Sequence, residues 1–119
     1  MKNNGPVYVK SFDFALSIIK LYKRLQAQKE YVIYKQLLRS GTSIGANINE
    51  ASAAFSRKDF LYKMSIASKE ARETLYWLEL LKESDLVELK LEKEIEDCAE
   101  LIRLLTSIVK TTKNSSLKT

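Results

Sequence analysis

The sequence predicts an all-α protein, specifically an antiparallel up-down-up-down four-helix bundle. Three observations predict it. Chain-breakers are scarce, with three Gly and one Pro in 119 residues, as long helices with short connections require. Apolar residues recur at intervals of three and four along four separate stretches, the period of a helix with one buried face. The links between these stretches are short, which sets consecutive helices side by side and antiparallel. Residues 1–119 are expected to form a single domain, since the chain is long enough for one core and too short for two.

The first helix is expected over 8–28. Phe14, Ile18, Leu21 and Leu25 make its core stripe, and Phe12, Ile19 and Tyr22 widen it. Ser11 with Asp13 nearby supplies a start signal. The second helix is expected over 32–55. Ile33, Leu37, Ile44, Ile48, Ala51 and Phe55 keep a helical period straight through the stretch "RSGTSIGANINEA", and no Pro interrupts it. Two of the three glycines lie in that stretch, each costing about 1 kcal/mol against Ala in a helix interior. Something must offset that cost.

The third helix is expected over 57–83, after a link of two or three residues around Ser56. Ser56 reads as its N-cap, with Asp59 in the acid position of a capping box. Phe60, Met64, Ala67, Ala71, Leu75, Leu78 and Leu81 form its core stripe, and Ser84 and Asp85 break the period. The fourth helix is expected over 89–112. Leu91, Ile95, Cys98, Ile102, Leu105 and Val109 repeat as a heptad seam. The polar tail 113–119 is expected to fray.

The second helix has three sides at about 100° per residue. Its large apolar residues face the core. Gly41, Gly45 and Ser52 share one flank, where a small-residue stripe admits a close neighbouring backbone, by analogy with membrane helices. Gln36, Ser40, Ser43, Asn47 and Glu50 share the other, a polar seam that must be hydrogen-bonded or wet. Glu70 and Glu73 on the third helix are the natural partners for Arg39, Ser43 or Asn47, across helices or across subunits. The plainer reading makes Glu50, Glu70 and Glu73 ordinary solvated residues. A third reading makes them metal-binding carboxylates, but di-iron bundles use Glu-x-x-His pairs and this chain has no His.

Ile66, Trp77 and Leu80, with Tyr62 and Tyr76 beside them, give the third helix a second apolar stripe. A bundle helix needs one, so the second is a candidate subunit interface. Phe12, Phe55, Tyr31, Val32 and Tyr34 add further apolar surface.

The composition narrows the chemistry. With no His and one Cys, a zinc site or a His-dependent nucleophile cannot be assembled within one chain. Carboxylate catalysis through Glu50, Glu70 and Glu73 or an all-oxygen metal site survives this filter and most other enzyme classes do not; the expectation is of no cofactor, metal, small-molecule substrate or enzymatic activity. No run is apolar enough to span a bilayer and the N-terminus lacks a signal-peptide core, so a cytoplasmic location is expected. Cys98 has no intrachain disulfide partner, which agrees with a reducing compartment.

The net charge is +5 and it is unevenly spread. Residues 1–72 hold thirteen Lys/Arg against five Asp/Glu, a net of +8, and residues 73–119 hold seven against ten, a net of −3. Candidate nucleic-acid contacts are Lys20, Lys23, Arg24, Lys29, Lys35, Arg57, Lys58 and Lys63, with Lys110, Lys113 and Lys118 near the end. None forms a dense basic run, and Lys and Arg are also the usual solvent-facing residues of a helix. An oligomer would multiply the charge into a field that attracts RNA or DNA.

Residues 34–81 resemble a known family. The match runs through Gln36, Leu37, Arg39, Ser43, Ile44, Asn47, Ile48 and Glu50, then Phe60, Ala67, Ser68, Glu70, Leu75, Trp77 and Leu78. It resembles the bacterial four-helix-bundle proteins encoded within 23S rRNA intervening sequences, also labelled S23 ribosomal protein. The family often carries Gly after the motif glutamate where this chain has Ala51. The resemblance implies a homopentameric ring, no known enzymatic activity and a largely unestablished function. A related group of basic pentameric bundles serves as accessory factors to reverse transcriptases. The expected function is therefore a basic, homo-oligomeric, RNA-associated bundle, and the alternative is a protein-interaction scaffold or accessory factor without specific nucleic-acid recognition.

Overall fold

The computed structural model describes residues 5–29 and 31–117. It is all α, with helices α1 (Pro6–Ala27), α2 (Ile33–Ala51), α3 (Arg57–Ser84) and α4 (Glu92–Leu117). Each helix packs on its two neighbours around the bundle, α1 on α2, α2 on α3, α3 on α4 and α4 back on α1. The diagonal pairs α1–α3 and α2–α4 make no close backbone approach among the described residues. With connections this short, neighbouring helices run antiparallel. The molecule is elongated, 51 × 25 × 21 Å.

One core runs its length. Phe14, Ile18, Leu21 and Leu25 of α1 meet Leu37, Ile44 and Ile48 of α2, Met64, Ala67, Ala71, Leu78 and Leu81 of α3, and Cys98, Leu101 and Leu105 of α4. The rings of Tyr22 and Tyr34 stack with centroids 5.0 Å apart, linking α1 to α2.

Several boundaries differ from the sequence-based expectation, each for a local reason. α1 starts at Pro6 after Gly5, with Pro in the first turn where its missing N–H costs nothing. Ser11 is a buried residue inside that helix, not a start signal, and its hydroxyl donates to the Tyr8 carbonyl at 3.1 Å. Phe12 and Ile19 do not widen the core stripe, because they point outward.

α2 stops at Ala51, so residues 52–56 form the link and it is longer than the two or three residues expected. Phe55 lies outside the helix and is 99% exposed, not core. The expected capping box stops the helix: the Ser56 hydroxyl accepts from the Asp59 N–H at 3.0 Å, and the Asp59 carboxylate accepts from the Phe55 N–H at 3.2 Å. Residues 55 and 56 are thus committed to α3 and are lost to α2.

α3 ends on Asp85, which takes the left-handed conformation (φ 58°) of a helix C-cap. The Gln28 side chain ties the end of α1 to the following link, accepting from the Glu88 N–H at 2.8 Å and donating to the Glu88 carbonyl at 3.3 Å.

α4 begins at Glu92, not 89, and continues past 112 to Leu117. The tail 113–117 is therefore helical, and the Arg57 guanidinium bonds Ser115 across from α3. Residues 118–119 lie outside the described chain. The α4 core line is Leu91, Glu94, Cys98, Leu101 and Leu105, with Ile95, Ile102 and Val109 half-buried beside it. One of the two heptad lines is thus displaced by one residue from the expected seam.

Candidate assembly and nucleic-acid surfaces

The two flanks of α2 do different work. On the small flank, Gly41 lies against Ile18 and Gly45 against Ser11. A Cβ at Gly41 would sit 3.0 Å from the Ile18 side chain, and one at Gly45 would sit 3.3 Å from the Ser11 carbonyl oxygen. The glycines are what let α1 approach α2 this closely. Ser52 takes no part, since it is the exposed C-cap.

On the polar flank, Arg39 spans two carboxylates of α3. Its guanidinium donates to Glu70 at 3.1 Å and, through its other terminal nitrogen, to Glu73. The Trp77 indole N–H donates to the same Glu73 oxygen at 2.9 Å. These two donors hold the Glu73 carboxyl below the usual glutamate range, the Arg39 bond contributing more than the Trp77 bond. Ser43 and Asn47 do not reach the glutamates. The Asn47 amide donates to the Ser43 carbonyl at 2.9 Å and its hydroxyl at 3.1 Å, within α2. Glu50 accepts from Lys63 at 2.7 Å, and Gln36 is exposed.

Sequence reasoning missed the partner of Ser40. The Ser40 and Thr74 hydroxyl oxygens lie 2.8 Å apart, both residues wholly buried. Thr74 also reaches the Glu70 carbonyl at 2.7 Å. One proton serves each contact if Thr74 donates to that carbonyl and Ser40 donates to Thr74. The periodicity placed Ser40 on a polar seam, but burial of that seam depends on how closely α3 packs.

Glu50, Glu70 and Glu73 do not converge. Two are held by Arg39 and the third by Lys63, three turns further along α2. No group of three His, Cys, Asp or Glu able to hold a metal occurs among the described residues.

Two apolar stripes remain on the outside. On α3, Tyr62, Tyr76 and Leu80 are exposed, with Ile66 and Trp77 half-buried. Tyr76 and Trp77 meet edge-on, centroids 5.2 Å apart. On α1, Val9, Phe12, Leu16 and Ile19 are exposed, spaced three, four and three, so they share one outward face. The sequence carried that signal: these four run out of phase with Phe14, Ile18, Leu21 and Leu25. The two helices are diagonal in the bundle, so the stripes face away from each other. Beside the α1 stripe lies an open depression of about 590 Å³ between Tyr8, Phe12, Gly45, Ala46 and Asn49.

The candidate basic residues fall into separate groups. Lys20, Lys23, Arg24 and Lys29 lie toward the end of α1, and Lys35 opens α2 at that same pole. Arg57 and Lys58 open α3 at the opposite pole, and Lys63, one turn further, is neutralised by Glu50. They make no single patch.

The model of the 23S rRNA-intervening sequence protein family matches residues 3–107. The chain belongs to that family. A solved structure from Bacteroides thetaiotaomicron, described as a protein of unknown function from the S23 ribosomal protein family, is 53% identical over 87% of this chain and 98% of its own, with a TM-score of 0.83. No curated protein matches the chain. Family membership thus rests on both sequence and fold, and the four-helix bundle is shared with that relative. No helix among the described residues is long and apolar enough to cross a membrane.

Proposed function

We propose that this member of the family is a non-enzymatic subunit of a homo-oligomeric ring that associates with RNA in the cytoplasm. The observation that carries the reading is the pair of unlike apolar stripes on diagonally opposite helices. A two-fold dimer would use one self-complementary patch. Two unlike patches on opposite sides favour a head-to-tail contact, which closes into a ring when the rotation permits. The α1 stripe of one subunit meets the α3 stripe of the next, and Tyr62 or Tyr76 fills the depression beside Phe12. The family resemblance supports five subunits. Burial of Phe12, Leu16, Tyr62 and Tyr76 supplies the driving force.

Assembly multiplies the +5 of one chain around a single particle. Such a field draws in a polyanion and weakens steeply with salt. Gel retardation of structured 23S rRNA fragments and of random-sequence RNA tests this. Binding at low salt that disappears as salt rises is the expected result. Absence of retardation with both RNAs at low salt overturns the RNA part of the proposal.

A second reading, a scaffold that docks another protein, draws on Phe55, fully exposed in the α2–α3 link and outside both stripes. A pull-down that returns a protein and no nucleic acid would favour it.

A further inference from the structure

We infer that the groove between the second half of α4 and the middle of α3 is the seat of an RNA sugar–phosphate backbone. This inference rests on the reading that the protein associates with RNA, and it names the surface that does so. The groove is lined by Ser68 and Arg72 of α3 and by Thr106, Lys110 and Lys113 of α4, and Arg103 continues the same α4 line one turn away. Its floor is Val109.

The charge distribution along α4 is the first support. Residues 92–100 hold five carboxylates and one lysine, whereas residues 101–117 hold Arg103, Lys110 and Lys113 and no carboxylate. Elsewhere four cations are paired, Arg39 with Glu70 and Glu73, Lys63 with Glu50, Lys10 with Glu100 and Lys93 with Asp97. Among the described residues no carboxylate pairs with Arg72, Arg103, Lys110 or Lys113. Three uncompensated cations line one concave surface, with Arg103 a turn beyond them, and a polyanion is what would neutralise them.

The second support is pre-organisation. The Arg72 guanidinium donates to the Thr106 hydroxyl at 3.0 Å, which lays it across the groove and leaves further N–H donors of its planar fork for phosphate oxygens. Ser68 and Thr106 add hydroxyls of the kind that bind phosphate. The α4 line from Arg103 to Lys113 is about 15 Å long at about 1.5 Å per residue. One duplex strand carries about four phosphates over that length, which face three cations in the groove and Arg103 beyond it. No aromatic ring lines it, so it offers no platform for stacked bases and its contacts are to backbone rather than sequence.

One member of the rival basic group at the end of α1 borders the assembly surface. Lys23 continues the α1 line of Leu16 and Ile19, so an α1-to-α3 contact borders or covers it. The groove lies about a quarter-turn round α3 from the Tyr62–Leu80 stripe and stays open beside such a contact.

Fluorescence anisotropy with a labelled single-stranded RNA of random sequence tests the assignment on the full chain. The variants are Arg72→Gln/Arg103→Gln/Lys110→Gln/Lys113→Gln and a control with equal charge loss, Lys20→Gln/Arg24→Gln/Lys29→Gln/Lys35→Gln. The groove variant is expected to weaken binding at least about tenfold and to lower the log–log salt slope by about 2.8, while the control stays within about threefold of the parent. Equal losses in both variants, or an unchanged groove variant, overturn the groove assignment and leave RNA association standing. A parent chain that does not bind at low salt overturns both. If the fourfold variant loses its helical circular dichroism, Lys110→Gln/Lys113→Gln replaces it, with a slope change of about 1.4 expected and no change overturning the assignment.

Discussion

Among the described residues Ser40 and Thr74 are the one hydroxyl pair sealed between helices, and they tie α2 to α3 at a point no solvent reaches. Thr74→Val keeps the shape and strands the Ser40 hydroxyl without its cross-helix partner. Denaturant unfolding should show a loss of about 1–2 kcal/mol. Adding Ser40→Ala should restore part of it, because the orphaned group is then gone. Equal or greater loss in the double variant would contradict this account of the pair. At Gly41, alanine gains about 1 kcal/mol of helix propensity but drives a Cβ to 3.0 Å from the buried Ile18. Overpacking of that kind costs about 1–3 kcal/mol, so Gly41→Ala should lower the thermal midpoint, and a raised midpoint would contradict the close-packing role. Cys98 is buried, its Sγ donates to the Ala71 carbonyl at 3.2 Å, and burial, helped by Glu79 and Asp97, pushes its thiol up to about 12. A thiol reagent at mildly alkaline pH should label it only after unfolding, since the thiolate is the reactive form. Prompt labelling of the folded chain would contradict its burial.

At the scale of the elements, the Arg39–Glu70–Glu73–Trp77 network joins α2 to α3. Glu73 is depressed by its bonds from Arg39 and Trp77, so its contribution is present above the ordinary glutamate value and is lost as pH falls through the depressed one. Stability should therefore begin to fall below pH of about 4.3. The group is 36% exposed, so water screens it and Glu73→Gln should cost under about 1 kcal/mol at neutral pH. That variant should also flatten the acid limb of a thermal-midpoint profile, and an unaltered limb would assign the acid loss to other groups. The Ser56–Asp59 capping box was legible because its residues stand at a fixed spacing on one helix, and the Arg39 pairing because Glu70 and Glu73 are carboxylates one turn apart on the adjoining antiparallel helix. The end of α2 was not, because the apolar period runs on through Phe55 while the box withdraws residues 55 and 56. The length of α4 was not legible either. Its last turns are polar in composition, and the bond between Arg57 and Ser115 that crosses them is tertiary. The four core positions of α1 follow from their period, whereas Phe12 and Ile19 belong to a second stripe out of phase with it that faces outward.

At the scale of the whole molecule, the bundle buries one apolar core and leaves two apolar stripes on its outside. These stripes are legible in the sequence as periods in excess of what four inward faces use. Which side each takes is not, since that depends on the diagonal placement of α1 and α3. Light scattering on the purified chain tests the central claim most directly. The account predicts a particle several times the 13.7 kDa of one chain, and predicts that Phe12→Glu in the α1 stripe shifts it toward single chains without loss of helix. A parent species of 13.7 kDa at working concentration would contradict it.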